Sequence, residues 1–265
     1  MEPSLIQIVV LALIQGVTEF LPVSSSAHLI LPAALTDWPD QGLAFDAAVH
    51  LGTLVAVMAY FRRDLGGFAT SGLAFVRHRV WDGNLDLGVK VLVATIPVVV
   101  AGVAFKAQIE THLRSTTVIA LATIVFGIVL WLADRRRGTE SVDLPSYTQA
   151  VLIGLAQALA LVPGTSRAGI TIAAALALGL GRRGAARFSF MLAIPAIIGA
   201  CIYTLVDADD LAGLPWVDLG LGFVIAALSA FACVSAFLRF VERTGMTPYV
   251  VYRILLGVVL LTFFA

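Results

Sequence analysis

Apolar runs of membrane-spanning length recur along the whole chain, at about residues 44–61, 88–105, 117–133, 185–206, 217–238 and 249–265. Each is about what a tilted or slightly short helix needs to cross a hydrocarbon layer roughly 30 Å thick. Two other stretches, 4–34 and 148–179, are longer than one span, and Pro and polar residues break each near its middle. Hydrocarbon tolerates irregular polar backbone only where protein buries it or where it lines a wet cavity. The pattern therefore predicts two re-entrant helix–turn–helix hairpins, each entering and leaving on the same side. The order is hairpin, three spans, hairpin, three spans. Three is odd, so the second half begins on the opposite face from the first. The expected fold is an all-α integral membrane protein, an inverted-topology repeat with six transmembrane helices and two re-entrant hairpins. It forms a single membrane domain, 1–265, with repeats near 1–137 and 145–265. A weak echo supports the repeat: 45–52 after the first hairpin and 188–195 after the second both open on Phe and continue largely apolar. The segments 62–87 and 134–147 read as the longer connecting loops.

Composition agrees with a membrane protein, since 60% of residues are hydrophobic and 13% charged. A formal net charge of +0, without any basic binding module, gives no reason to expect a nucleic-acid partner. The 4 His and 2 Cys are too few and too scattered for a thiolate zinc site. Cys201 and Cys233 lie in apolar runs and read as small packing residues rather than a disulfide. The N-terminus, Met1 to Ser4, lacks the basic region of a signal peptide, so no cleavage is expected. Charge orients the chain. Arg62, Arg63, Arg77, Arg79, Arg135, Arg136, Arg137, Arg182, Arg183, Arg187, Arg239 and Arg243 fall on one predicted face. Asp37, Asp40, Asp207, Asp209 and Asp210 fall on the other, with Lys106 and Arg114 as exceptions. The positive-inside rule makes the Arg-rich face cytoplasmic and puts both termini on the outside. The hairpin tips then meet near the midplane, one from each side.

The candidate chemistry sits at those tips. The first break carries Gln15, Glu19, Pro22, Ser24, Ser25, Ser26 and His28; the second carries Gln157, Pro163, Gly164, Thr165, Ser166, Arg167 and Thr171. Each has a Gln six or seven residues before a Pro, then a hydroxyl-rich turn. A hydroxyl can cap the half-helix that restarts after each turn, presenting its unpaired N–H groups and positive dipole end at the tip. With Arg167 these ends form an anion site suited to phosphate, for which a guanidinium offers a planar fork of donors. Gln15 and Glu19, four apart, share a helix face. Glu19 is a candidate ligand for a divalent cation or a general base, Ser25 a candidate nucleophile, and His28 a proton carrier. Ser24, Ser26, Gly164, Thr165, Ser166 and Thr171 are candidate phosphate contacts. Asp46 and His50, one turn apart on the following span, are candidate supporting partners for His28 or a metal. Arg253, a lone charge within a late span, reads as snorkelling to an interface.

At these residues the sequence resembles the undecaprenyl-diphosphate phosphatase family, also called bacitracin-resistance proteins, over essentially the whole chain. Gln15 and Glu19, running on to Pro22, Ser24, Ser25, Ser26 and His28, match its first motif. Pro163, Gly164, Thr165, Ser166, Arg167 and Thr171 match its second. Gln15 stands where many members carry Glu, which removes a charge from any ligand role there. The resemblance implies a hydrolase of the bacterial inner membrane that requires a divalent cation, Mg2+ or Ca2+. It cleaves the diphosphate of the polyprenyl carrier used in cell-wall synthesis to the monophosphate. The substrate is a polyprenyl diphosphate lipid within the bilayer, and a homodimer is left open. Attack by Ser25 and direct attack by water both remain open. A rival reading is a secondary transporter or flippase of an anionic polyprenyl lipid, since broken helices meeting at the midplane also describe transporters. Against it stands the hydroxyl, His and Glu cluster beside Arg167, which transport alone does not need.

Overall fold

The computed structural model describes residues 4–35, 38, 42–113, 115–135, 142–206 and 215–264. The expectations resting on Asp37, Asp40, Arg114, Arg136, Arg137, Asp207, Asp209 and Asp210 lie outside those residues. The first half contains α1 (Leu5–Thr18), α2 (Ser25–Leu35), α3 (Gly42–Tyr60), α4 (Arg62–His78), α5 (Gly83–Ala104), α6 (Lys106–His112) and α7 (Thr116–Arg135). The second contains α8 (Tyr147–Ala158), α9 (Arg167–Ala177), α10 (Arg182–Val206), α11 (Trp216–Thr244) and α12 (Thr247–Phe263). Each predicted span corresponds to one helix: α3, α5, α7, α10, α11 or α12. Among the described residues, five of these are long and apolar enough to cross a membrane. The sixth, α12, is apolar but has 17 residues.

The stretch 62–87 is not the loop that its mixed composition suggested. Residues 62–78 form α4, with Asp64 in its first turn and Arg77 and His78 in its last, each complementing the helix dipole. It ends where Arg79 turns left-handed (φ 58°). Asp82 then starts α5 by accepting the Leu85 N–H at 2.9 Å.

The second hairpin returns to the side from which it starts. Gln149, at the start of α8, donates from its side chain to the carbonyl of Leu178 just past α9 (2.8 Å). The chain before α8 also pairs with the chain after α9, through Val142 and Gly181 (3.1 Å). Around the hairpins, α1 and α3 pack on α11, α8 and α10 pack on α5, and α7 packs on α12 and α9. These contacts are close because small residues form them. A Cβ at Gly154 would stand 2.3 Å from the Ala94 carbonyl oxygen, and one at Gly52 would stand 2.4 Å from that of Phe223.

Arg-bearing helix ends gather at one end of the bundle. Arg182 forks onto both Asp134 oxygens at 2.6 and 2.7 Å, and Asp134 also accepts the Met246 N–H at 3.2 Å. One carboxylate thus ties the end of α7 to the starts of α10 and α12. Arg187 of α10 reaches Asp64 of α4 at 2.9 Å.

Candidate active site

Both breaks resolve into the same local geometry. After α1, the chain turns through Glu19–Val23 and reaches Ser24 in a positive-φ conformation (73°) before α2 begins. After α8, a single tight turn (Leu159–Leu161) leads through Gly164 (φ 93°) to Ser166 (φ 68°), where α9 begins. Non-glycine residues pay about 1–3 kcal/mol for such backbone, and it persists where surrounding structure over-determines it, often at functional sites. Ser24 and Ser166 therefore correspond, each one residue ahead of a half-helix. In that register Gln15 and Gln157 correspond too, each nine residues earlier and fully buried. Aligning Pro22 with Pro163 is off by one residue. Gly164 is required twice over: its φ is positive, and a Cβ there would lie 2.2 Å from the Ile119 carbonyl oxygen.

The two tips enclose a cavity of about 190 Å³, lined by Glu19, Ser24, Ser25, Ser26, Ala160, Gly164, Ser166 and Arg167. Glu19 is its hub. Arg167 donates through Nη2 to Glu19 Oε1 at 3.0 Å, across the junction between the hairpins. The Ser25 hydroxyl donates to Oε2 at 3.1 Å, and Gln15 Nε2 donates to the same oxygen at 3.1 Å. The other arm of the Arg167 fork is held by the Ser189 carbonyl (3.0 Å). Ser26 Oγ accepts the Gly164 N–H at 3.3 Å and so stitches the tips together, and it pairs with Ser24 Oγ at 3.1 Å. Ser166 Oγ caps α9 by accepting the Gly169 N–H at 3.1 Å.

Histidine placement differs from expectation. His28 is buried and does not line the cavity. Its Nδ1 lies 2.7 Å from the Ser24 carbonyl, which only accepts, so Nδ1 carries the proton there. Nε2 then accepts from the Tyr252 hydroxyl at 2.6 Å. Both nitrogens are bonded away from the cavity, so His28, the expected proton carrier, does not face the Ser25 hydroxyl here. The imidazole beside the cavity is His50, with Nε2 3.9 Å from Glu19 Oε2 and Nδ1 bonded to the Asp46 carbonyl at 2.7 Å. Asp46 therefore fixes this ring through its main chain.

Two candidate phosphate contacts also stand back from the cavity. Thr171 is fully buried and bonds the Arg167 carbonyl (2.7 Å) and Ser189 Oγ (2.7 Å), bracing α9 against α10. Thr165 is fully buried, its hydroxyl without a hydrogen-bond partner. Arg253 is the residue that the sequence reading misplaced. It is fully buried rather than snorkelling, and its guanidinium bonds carbonyls of both tips. The signal was available, because a cation inside a span is costly unless it has a dedicated set of acceptors.

Among the described residues, no three His, Cys, Asp or Glu gather as a metal cluster. The cavity offers the Glu19 carboxylate, and next to it the Gln15 amide, whose Oε1 is buried without a hydrogen-bond partner. This sparse, all-oxygen donor set fits a hard divalent cation that draws most of its ligands from phosphate and water.

Residues 8–259 match the family model for the bacitracin resistance protein BacA. The chain is 54% identical to an undecaprenyl-diphosphatase of Teredinibacter turnerae, over 97% of this chain and 98% of that one. It is 52% identical to an undecaprenyl-diphosphatase of Alcanivorax borkumensis, over 98% of each chain. It is 51% identical to undecaprenyl-diphosphatase 2 of Stutzerimonas stutzeri, again over 98% of each. With both motifs folded onto one cavity and the match running nearly end to end, the chain belongs to the BacA family of integral membrane proteins.

Proposed function

We propose that this protein is a phosphatase that hydrolyses undecaprenyl diphosphate to undecaprenyl phosphate and inorganic phosphate, returning the lipid carrier to cell-wall synthesis. One observation carries the reading: a carboxylate, a serine hydroxyl and a guanidinium from two separate hairpins meet in one polar cavity. Its relatives' names supply the substrate.

Arg167 holds the diphosphate and stabilises charge that builds on the transferring phosphoryl oxygens, helped by Ser24, Ser26, Ser166 and the N–H groups at the half-helix starts. Entry of the diphosphate draws one guanidinium arm from Glu19 to phosphate oxygen. Glu19 is then free to take the Ser25 proton. In the covalent route, Ser25 Oγ bonds the terminal phosphorus as the bond from phosphorus to the bridging oxygen breaks, and undecaprenyl phosphate leaves with the proton that Glu19 took from Ser25, which returns Glu19 to its carboxylate form. Water, deprotonated by Glu19, then cleaves the phosphoserine. In the direct route Glu19 activates water, and Ser25 only hydrogen-bonds the phosphate. Glu19 with the Gln15 amide oxygen would hold a divalent cation, Mg2+ or Ca2+. When bound, the ion neutralises charge on the diphosphate.

The inverted repeat, 1–137 and 145–265, belongs to the same proposal. Its support is the matched register at Ser24 and Ser166 and the matched packing, α1 on α11 against α8 on α5. So does orientation: the Arg-rich end faces the cytoplasm and both termini face the periplasm, in a multi-pass inner-membrane protein. The substrate is amphiphilic, so its prenyl tail stays in hydrocarbon and it enters laterally from the bilayer.

The test is phosphate release from undecaprenyl diphosphate by purified protein in detergent, with and without chelator. Release that chelator suppresses supports the proposal. Movement of the intact lipid across vesicles with no phosphate released would replace it with the transporter reading.

A further inference from the structure

The cavity sees one face of each hairpin tip, and α12 holds the other. Arg253 donates through Nε to the Thr123 carbonyl (3.0 Å), through Nη1 to that of Pro22 (3.4 Å), and through Nη2 to those of Gly164 and Thr165 (2.9 Å each). Its neighbour Tyr252 hydrogen-bonds His28 (2.6 Å), and His28 in turn holds the Ser24 carbonyl (2.7 Å). The Tyr252 and His28 rings lie parallel within 6°, their centroids 5.4 Å apart. Room for the guanidinium comes from two glycines. A Cβ at Gly169 would stand 2.6 Å from Arg253 Nη1, and one at Gly127 would stand 3.3 Å from Arg253 Cβ.

Arg253 thus holds three tip carbonyls, those of Pro22, Gly164 and Thr165, and Tyr252 acts on a fourth, that of Ser24, through His28. Among the described residues every peptide bond is trans. In a planar trans peptide the C=O and the next N–H point in opposite directions. A Ser24 carbonyl tied back through His28 therefore turns the Ser25 N–H away from α12. A Thr165 carbonyl tied to Arg253 does the same to the Ser166 N–H. Neither Arg253, His28 nor Tyr252 lines the cavity, whereas Ser25 and Ser166 both do. Ser24 and Ser166 both have positive φ, a backbone form that persists where surrounding contacts such as these over-determine it.

We propose that Tyr252 and Arg253 are positioning residues that lock the tip peptide planes, so that the main-chain N–H groups of Ser25 and Ser166 face the diphosphate as oxyanion donors. This rests on the phosphatase reading for its substrate class, though not for its geometry. Neither side chain touches the substrate. Arg253 serves four carbonyls at once because a guanidinium carries five donors in a fixed plane, and a lysine ammonium cannot span them. Tyr252 supplies the donor that keeps His28 in the tautomer able to hold Ser24.

Arg253→Lys and Tyr252→Phe test this in the full-length protein in detergent. Each is expected to cut kcat/KM for the prenylated lipid about ten- to hundredfold, the scale on which lost oxyanion donors act. Inorganic diphosphate, titrated by calorimetry, should bind each variant more weakly than wild type by a similar factor. Thermal unfolding of Tyr252→Phe should match wild type, since that variant removes a single hydroxyl. Wild-type kcat/KM and diphosphate affinity in folded Tyr252→Phe or Arg253→Lys would overturn the inference, as would losses that only track the fraction of protein unfolded. The calorimetric arm needs no turnover. Wild-type protein that releases no phosphate, yet binds inorganic diphosphate in a manner sensitive to Arg253→Lys, would refute the proposed reaction and leave this positioning role supported.

Discussion

Three donors from two hairpins converge on Glu19: Gln15, Ser25 and Arg167. Arg167→Ala is expected to abolish turnover while the protein still folds and inserts, and retention of more than about 1% of wild-type activity would exceed what loss of the main transition-state cation allows. Arg167→Lys should rescue poorly, since one ammonium cannot bridge Ser189, Glu19 and phosphate as a fork does. Glu19→Gln should remove most activity and flatten the response to divalent cation, whereas Gln15→Glu should be tolerated or sharpen it. Metal titrations of Glu19→Gln that overlay wild type would make the carboxylate structural. Ser25→Ala separates the two chemical routes. Near-complete loss, with a phosphoserine trapped on rapid quench of wild type, marks covalent attack. A roughly ten- to hundredfold loss with no phosphoenzyme marks attack by water, being the cost of a hydrogen bond to a charged group. That Glu19, Ser25 and Arg167 gather at one cavity was legible in the sequence, because polar and charged groups at a break in an apolar run have few other places to go. That Tyr252 holds His28 was not, because helical spacing places a side chain on a face without saying which neighbour already bonds it. Arg253 was misread because depth within a bundle depends on which helices surround a span, and periodicity does not encode that.

At the scale of elements, the hairpins were legible and α4 was not. Pro22 and Pro163–Gly164 interrupt apolar runs too long for one span, and hydrocarbon leaves few ways to fold such a sequence. By contrast α4 reads as mixed polar sequence, because Arg62, Arg63, Arg77 and His78 sit at its ends and Leu73 and Val76 are exposed, while only a few side chains such as Leu65 and Phe68 pack on the core. Its attachment rests on Asp82, which caps α5 through Leu85 and accepts the Ser71 hydroxyl of α4 at 2.7 Å. The cap bond from the Leu85 N–H, followed by the Ser71 bond, holds the Asp82 carboxyl below the usual carboxylate range. A depressed folded-state value means that this stabilisation is fully present above the unfolded value, about 3.9, and is lost as pH falls through the folded one. The melting temperatures of wild type and Asp82→Ala in detergent should therefore differ at neutral pH and converge in strong acid. A gap that stays open well below the carboxylate range would show that Asp82 acts by packing instead.

For the molecule as a whole, the apolar runs marked the long helices, and the bias of Arg to one set of helix ends is the support for the proposed orientation. A cysteine placed at Trp216, in a chain lacking Cys201 and Cys233, should react with an impermeant thiol reagent added to intact cells. One placed at Arg243 should react only after the membrane is opened. The reverse pattern would invert the orientation and place the Arg-rich end outside. What the sequence could not convey was the dependence of both tips on α12, because that link joins positions more than two hundred residues apart in the first half and about ninety in the second. This arrangement has a consequence for biogenesis. Translation delivers the first hairpin early and the second midway, whereas Arg253 follows only after α11 has been made. Until then the carbonyls of Pro22, Gly164 and Thr165 and the His28 ring lack their partners on α12, although every earlier helix can already be in the bilayer. On the positioning role proposed for α12, insertion and maturation are separate events, and a chain truncated before α12 should insert yet release no phosphate.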